Sequence, residues 1–405
     1  MLKKLILFSF VLALISSCEN QDKKDVKMLE TLNTYLQSSP EKVSELTGEI
    51  SAEAATKAEQ EIHAYLENKI KAAYQADWDS LKLVVNHKEL KFKYRKFGEK
   101  PPQGWSLYIS MHGGGNAAPE VNDQQWKNQI NLYRPKEGIY LAPRAPTNTW
   151  NLWHEPHIDS MFTQLIEIAD AFEDINTNRV YLTGYSAGGD GTYQLAPRMA
   201  DQLAAAAMMA GHPNDASPLG LRNLPFTIHM GGDDGAYNRN KIAAEWKNKL
   251  DSLQKQDPEG YIHDVQIHEG KGHWMDRQDT VAIEWMAQFT RNPYPKKVVW
   301  KQSGVTHNRF YWLVVPSGSA KKDAEVIATL DDQTITIEEA ELIDTLSIRL
   351  NGDMLKLDQK VRVFYNGQLL YDAVPTRNVA TIWKSLSERN DPEQVFSAQI
   401  EVNLK

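Results

Sequence analysis

The chain has 405 residues, with 53 acidic against 45 basic side chains, a formal charge of −8, and a single cysteine. The acidic balance argues against nucleic acid as a partner, and one thiol leaves no internal disulfide to hold the fold. Stability must come from a buried core, and the length allows two or three domains.

The chain opens with Lys3 and Lys4, then eleven apolar or small residues from Leu5 to Ile15, then Ser16, Ser17 and Cys18. A basic start, an apolar run too short to span a bilayer and small residues before a cut site predict a secretory signal over residues 1–17. Ile15-Ser16-Ser17-Cys18 resembles the lipobox of bacterial lipoproteins. That resemblance implies lipidation of Cys18 as the mature N-terminus and a membrane-anchored place in the cell envelope. Several acyl chains on one residue anchor stably where a single chain does not. Loss of Lys3 and Lys4 takes the formal charge from −8 to −10. Residues 18–28 are charged and poor in apolar side chains, which predicts a flexible tether. Charges just after the cysteine also resemble the surface-export signal of Bacteroidetes lipoproteins. No other segment of the sequence is long and apolar enough to cross a membrane.

Residues 29–78 read as an N-terminal helical segment. Leu29, Leu32, Tyr35 and Leu36, then Ala58, Ile62, Tyr65, Ile70 and Tyr74, fall at helical spacing on either side of a break at Ser38-Ser39-Pro40. Residues 79–294 alternate between strand and helix patterns. Leu81–Val85 and Leu90–Tyr94 form a hairpin about Asn86–Glu89, and Trp105–Ser110 and Gly138–Ala142 are strand-like. Ile158, Met161, Leu165, Ile168, Phe172 and Ile175 make a helical stripe before the strand Val180–Thr183 and the helix Ala187–Met199. The apolar run Leu203–Ala210 follows. Strands Phe226–Met230 and Val265–His268 then precede helices marked by Ile242, Trp246, Leu250 and Leu253 and by Val281, Trp285, Met286 and Phe289. This alternation predicts an α/β fold with a doubly wound, mostly parallel sheet covered on both faces.

The pattern changes after Asn292-Pro293-Tyr294-Pro295. Residues 295–405 carry short strands, among them one over Arg309–Val315, with hairpin turns at Asn351-Gly352 and Asn366-Gly367 and one helix near Val379–Leu386. They predict a C-terminal all-β, sandwich-like domain. Its Trp300, Phe310, Tyr311 and Trp312 either pack a core or form a sugar-binding platform.

The chemistry concentrates on Gly184-Tyr185-Ser186-Ala187-Gly188, between an apolar strand and a helix. A serine hydroxyl is a weak nucleophile until a tight turn exposes it and a base takes its proton. Two later strand ends supply the partners: Gly231-Gly232-Asp233-Asp234 a carboxylate and Gly272-His273 a base. Ser186, Asp234, His273 is the chain order expected for such a triad, with Asp234 favoured over Asp233 by analogy of spacing from Gly231. Upstream, His112-Gly113-Gly114-Gly115 ends a strand as an oxyanion loop would, which assigns the donors to the N–H groups of Ala187 and Gly114. Candidate pocket residues are His112, Tyr185, His212, Trp274 and the cluster Trp150, Trp153 and His154. That cluster, with Glu155 and His157, shapes the pocket or only packs its loop. His229 and His268 sit on strands and read as structural. No metal-binding or phosphate-binding motif stands out, and no cofactor is expected.

On these motifs, residues from about 81 to 291 resemble an α/β-hydrolase. The likeness is strongest to secreted esterases of the polyhydroxybutyrate-depolymerase and feruloyl-esterase type. The resemblance implies a serine esterase acting on acyl or feruloyl esters of extracellular polysaccharide, or on polyesters, through Ser186, His273 and Asp234. Residues Arg309–Leu313 resemble part of an accessory domain of such lipoproteins. A peptidase of the prolyl-oligopeptidase kind is the first alternative, which the lack of a long upstream repeat region opposes. A binding lipoprotein with an inactive hydrolase fold is the second.

Overall fold

The computed structural model describes residues 21–85 and 87–405. The expected signal over residues 1–17, the lipidation site Cys18 and Asn86 of the first hairpin turn lie outside the described residues.

An eight-stranded sheet forms the centre. In chain order its strands are β1 (Lys82–Val85), β2 (Lys88–Phe97), β3 (Trp105–Met111), β4 (Gly138–Arg144), β5 (Ile175–Tyr185), β6 (Ala205–Met209), β7 (Phe226–Gly231) and β8 (His263–His268). They lie side by side as β1-β2-β4-β3-β5-β6-β7-β8. β1 with β2, and β2 with β4, are antiparallel; the rest are parallel. This is the α/β-hydrolase arrangement. Alternation within the strands explains the two covered faces. Leu107, Ile109, Val180 and Leu182 enter the larger core, whereas Tyr108 and Tyr181 enter a tyrosine- and alanine-rich core on the other face.

The helices are α2 (Ala52–Asp79), α3 (Pro119–Gln129), α4 (Pro156–Glu173), α5 (Ala187–Arg198), α6 (Arg239–Gln256) and α7 (Val281–Met286). Helix α4 ends at Glu173, so Ile175 does not extend its stripe; it opens β5 and pairs with Trp105. The sequence pattern does not announce helix α3. Its residues, Pro-Glu-Val-Asn-Asp-Gln-Gln-Trp-Lys-Asn-Gln, carry no apolar stripe, and its buried members are the polar Asn122 and Gln129.

At the N-terminus, residues 21–38 are helical (α1), which corrects residues 21–28 of the tether expected over 18–28. The first turns hold by polar contacts that a hydropathy pattern does not register. Asp25 is buried and accepts hydrogen bonds from the Gln21 side chain and the Ser51 backbone N–H. Leu32 and Leu36 then join Ala58 and Ile62 in a core shared with Val379 and Ile382 of α8 (Val379–Glu388).

The C-terminal region has two sheets, as a sandwich requires. Four strands, β10 (Arg309–Phe310), β11 (Leu313–Val314), β14 (Thr345–Leu350) and β17 (Ala398–Asn403), form one. The other contains β9 (Lys297–Lys301), β12 (Glu325–Asp331), β13 (Thr334–Glu341), β15 (Val361–Tyr365) and β16 (Gln368–Ala373). Asn366-Gly367 joins the antiparallel pair β15 and β16. Asn351-Gly352 does not make a hairpin: it ends β14, and the chain crosses to the other sheet, with the Asn351 carboxamide holding the Val395 carbonyl. The single strand expected over 309–315 is a tight hairpin, because Tyr311 turns at φ 53° and its hydroxyl donates to Ala200. Trp300, Phe310, Tyr311 and Trp312 are all buried, so they are core and not a platform.

Candidate active site

The strand-to-helix turn at Ser186 exists because glycine occupies the positions that crowd it. A Cβ on Gly184 would sit 2.1 Å from the Gly188 carbonyl oxygen, and one on Gly188 would sit 2.2 Å from the Met111 oxygen. Neither contact is tolerable, so the x-Ser-x core needs both glycines. Ser186 itself stands at φ 57°, ψ −119°, a strained conformation for a residue with a side chain. Its N–H donates to the Met209 carbonyl and its own carbonyl accepts from Asp190, so packing on both sides holds the strain.

Asp234 and His273 reach Ser186 from the ends of β7 and β8. The His273 ring nitrogen Nε2 lies 3.0 Å from Ser186 Oγ, and Nδ1 lies 2.7 Å from Asp234 Oδ2. Asp234 is 3% exposed, while the His273 side chain is 43% exposed and faces the cleft. The two loops approach because position 231 is glycine; a Cβ there would meet the Gly272 oxygen at 2.1 Å. Asp233, the competitor, turns its N–H to the Lys271 carbonyl, and no bond joins it to His273 among the described residues. The Tyr185 hydroxyl donates to the His273 carbonyl at 2.7 Å and accepts from the Met275 N–H, tying the histidine loop to the residue before the nucleophile.

Opposite the serine, residues 113–115 leave β3 as a glycine run beside the first turn of α5. Ala187 is the first residue of α5, so its N–H has no partner inside the helix and lies at the positive end of the helix dipole. The Gly115 N–H is taken by Asn122 Oδ1 at 2.8 Å, which leaves the Gly113 and Gly114 N–H groups as the loop's candidate donors. Gly114 sits at φ 111°, and a Cβ there would strike the same Asn122 oxygen at 2.2 Å. Asn122, fully buried, also donates to Ala117 and Asn148. It shapes the glycine loop beside Ser186 and was not legible in the sequence, since nothing marks one asparagine on a helix without an apolar stripe.

Two lobes open from Ser186 and Gly114. The larger, about 560 Å³, runs past Tyr185, His273, Trp274 and Arg277 and along α3 to Leu132. The smaller, about 340 Å³, runs past Ala187, Trp150, Asp190, His212 and Tyr237 to Arg239. Tyr185, His212, Trp150 and Trp274 therefore do line the cleft. Trp150 and Trp274 are 59% and 50% exposed. His112 and Trp153 do not line it, which corrects both. His112 is fully buried, with Nδ1 donating to the Gly113 carbonyl and Nε2 accepting from the Ala145 N–H. Burial pushes its ring down to about 4, so it is a neutral strut. Trp153 is fully buried, and its indole N–H donates to the His112 carbonyl. His154 packs edge-on against Trp150 behind the smaller lobe; burial lowers it to about 4. His229 is buried and bonded to His268, and burial takes it to about 3. Tyr237 was missed. It stands 76% exposed at φ 55° with the Arg239 guanidinium over its ring, and its Gly-rich approach carried no signal for an aromatic wall.

The sequence model of the dienelactone hydrolase family matches residues 131–302, a segment that contains Ser186, Asp234 and His273. The bifunctional acetylxylan esterase/xylanase XynS20E of Neocallimastix patriciarum is 29% identical over 151 residues, 36% of this chain and 22% of that protein. The chain thus spans about a fifth of that curated relative's length. Among solved structures, a thermostable esterase is 18% identical with a TM-score of 0.39, covering 52% of this chain and 62% of its own. A ferulic acid esterase is 14% identical with a TM-score of 0.36, covering 51% and 96% respectively.

Proposed function

We propose that the chain is a serine carboxylic ester hydrolase. The observation that carries this reading is the continuous relay Asp234–His273–Ser186 at hydrogen-bond distances. Ser186 Oγ attacks the ester carbonyl carbon while His273 Nε2 takes its proton. Asp234 Oδ2 holds the Nδ1–H and stabilises the imidazolium. The Ala187 and Gly114 N–H groups hold the oxyanion. His273 returns the proton to the departing alcohol, and water repeats the sequence on the acyl-enzyme. Because His273 must hand its proton to the alcohol, the alcohol belongs in the lobe that His273 lines. The acyl part belongs in the smaller lobe beside Ala187, between Trp150 and Tyr237.

The substrate class that fits is an acyl or feruloyl ester of extracellular polysaccharide, with polyesters as the other candidate. The likeness to an acetylxylan esterase and to the dienelactone hydrolase family supports the ester reading. Anchoring through Cys18 in the cell envelope rests on the leader sequence; incorporation of a labelled fatty acid, lost in Cys18→Ser, is its test. For the activity, a panel of 4-nitrophenyl esters is set against aminoacyl amides. Ester turnover and fluorophosphonate labelling, both lost in Ser186→Ala, are expected. Turnover of amides without esters would refute the reading.

A further inference from the structure

The larger lobe has a lining that the chain's composition does not predict. The protein carries more acids than bases, yet among the described residues no Asp or Glu lines this lobe, while Lys127 and Arg277 do. The acids nearest them in sequence are already paired: Asp123 with Arg144 at 2.8 Å and Asp276 with Lys271 at 2.7 Å. Neither Lys127 nor Arg277 forms an ion pair within 4 Å among the described residues, although Asp123 lies within electrostatic reach of Lys127 and the buried Asp279, bonded to the Tyr133 hydroxyl, within that of Arg277. The Arg277 guanidinium reaches across to donate to the Leu132 carbonyl at 2.7 Å, which holds the exposed cation at the rim of the lobe. The same lobe is lined by the carboxamides Gln125, Asn128 and Asn131, which both donate and accept. The half-exposed Trp274 indole, packed on Tyr185 at 5.7 Å, adds a flat apolar face. Carboxamides for hydroxyls, an indole for a ring face and two cations with no acid describe one ligand chemistry.

We infer that the leaving-group side of this cleft takes an acidic saccharide, a sugar ring bearing a carboxylate, as the alcohol of the ester. The inference rests on the esterase reading and on the side that His273 assigns to the alcohol. Lys127 and Arg277 meet the carboxylate, and they add affinity for the alcohol rather than any step of the chemistry.

The test takes the acyl group that turns over fastest as a 4-nitrophenyl ester and places it on methyl glucuronoside and on methyl glucoside. The expected result is a higher kcat/KM on the glucuronoside by about tenfold at low salt, the size of two partly exposed ion pairs. The preference shrinks toward one near 1 M salt, where screening acts over about 3 Å. Lys127→Gln and Arg277→Gln each lower the glucuronoside-to-glucoside ratio by about threefold, and Arg277→Lys retains most of it. A ratio at or below one, or a ratio indifferent to salt and to both substitutions, overturns the inference while leaving the esterase intact. Should no ester turn over, the esterase reading fails on its own, and calorimetric titration of Ser186→Ala with the two glycosides still reads the preference; equal or undetectable binding of both then overturns the inference too.

Discussion

The cleft and the junction between the catalytic and C-terminal regions are both built on a carboxylate facing a cation or a would-be cation, and they put it to opposite uses. In the cleft, Asp234 is buried but its partner His273 is 43% exposed, so the pair can exchange protons with a substrate. At the junction, Asp391 and Arg291 meet at 2.7 Å with side chains 11% and 2% exposed. Burial pushes the Asp391 carboxyl up, but the Arg291 charge and the hydrogen bonds from Arg291 and Thr177 outweigh it and hold it below its usual value. Arg389 pairs with the buried Asp201 beside it, and His307 and Arg198 share Asp159. One region keeps its charge pair wet at one end so that it can react. The other dries it so that two parts of the chain have one docking geometry.

The difference is broken most severely at the serine. Ser186→Ala removes the nucleophile and lowers kcat by about 10⁴-fold or more. Its melting temperature stays close to that of the parent, because the turn is held by backbone contacts and glycines rather than by the hydroxyl. Activity within tenfold of the parent would remove Ser186 from the mechanism. Asp391→Ala gives the reverse pattern. It strands Arg291 in a dry site and costs about 3–5 kcal/mol of stability, read by chemical denaturation. The kcat measured well below the new melting temperature changes little, since the triad lies at the opposite ends of the strands.

Asn122→Ala sharpens the comparison from inside the cleft. The substitution deletes the acceptor for the Gly115 N–H and the wall against which Gly114 turns. Losing an oxyanion donor outright costs roughly a hundred- to a thousandfold; loosening one costs less, and about tenfold in kcat with little change in KM is expected. A change confined to KM would place Asn122 in substrate binding instead.

The parts of the site that depend on local backbone demands were readable. Gly184 is required by the contact of 2.1 Å that a Cβ would make with the Gly188 oxygen inside the motif itself, so the motif carries that part of its own geometry. Ser186, Asp234 and His273 could be placed because each follows closely on the end of a strand. What escaped depends on distant partners. The Trp153 indole is satisfied by a carbonyl 41 residues away, which turns a candidate wall into core. Helix α3 packs by Asn122, Gln129 and the Trp126 N–H bond to Ala142 rather than by an apolar stripe, so periodicity could not find it. The same holds for residues 21–28, where Asp25 does the anchoring that a leucine would have advertised.

The smallest effect separates the regions by pH. In the crevice beside Asp391, burial raises Glu167 from 4.5 to about 7, against the pull of Arg389. Burial, with Asp391 adding to it, raises Asp170 from 3.8 to about 8. Each carboxyl therefore keeps its proton in the folded chain at a pH where the unfolded chain has lost it. The folded state binds more protons across these windows, so stability falls as pH rises from about 4.5 to 7 for Glu167 and from about 4 to 8 for Asp170. Each group contributes at most about 1.4 kcal/mol per pH unit, and less after relaxation and water entry. Glu167→Gln keeps the shape without the titration. Denaturation free energies measured from pH 5 to 8 should fall less steeply in that variant, while the ratio of its ester turnover to that of the parent stays flat over the same range. An unchanged slope would mean that Glu167 is ionised in the folded protein, and that the junction tolerates there the kind of charge exposed in the cleft.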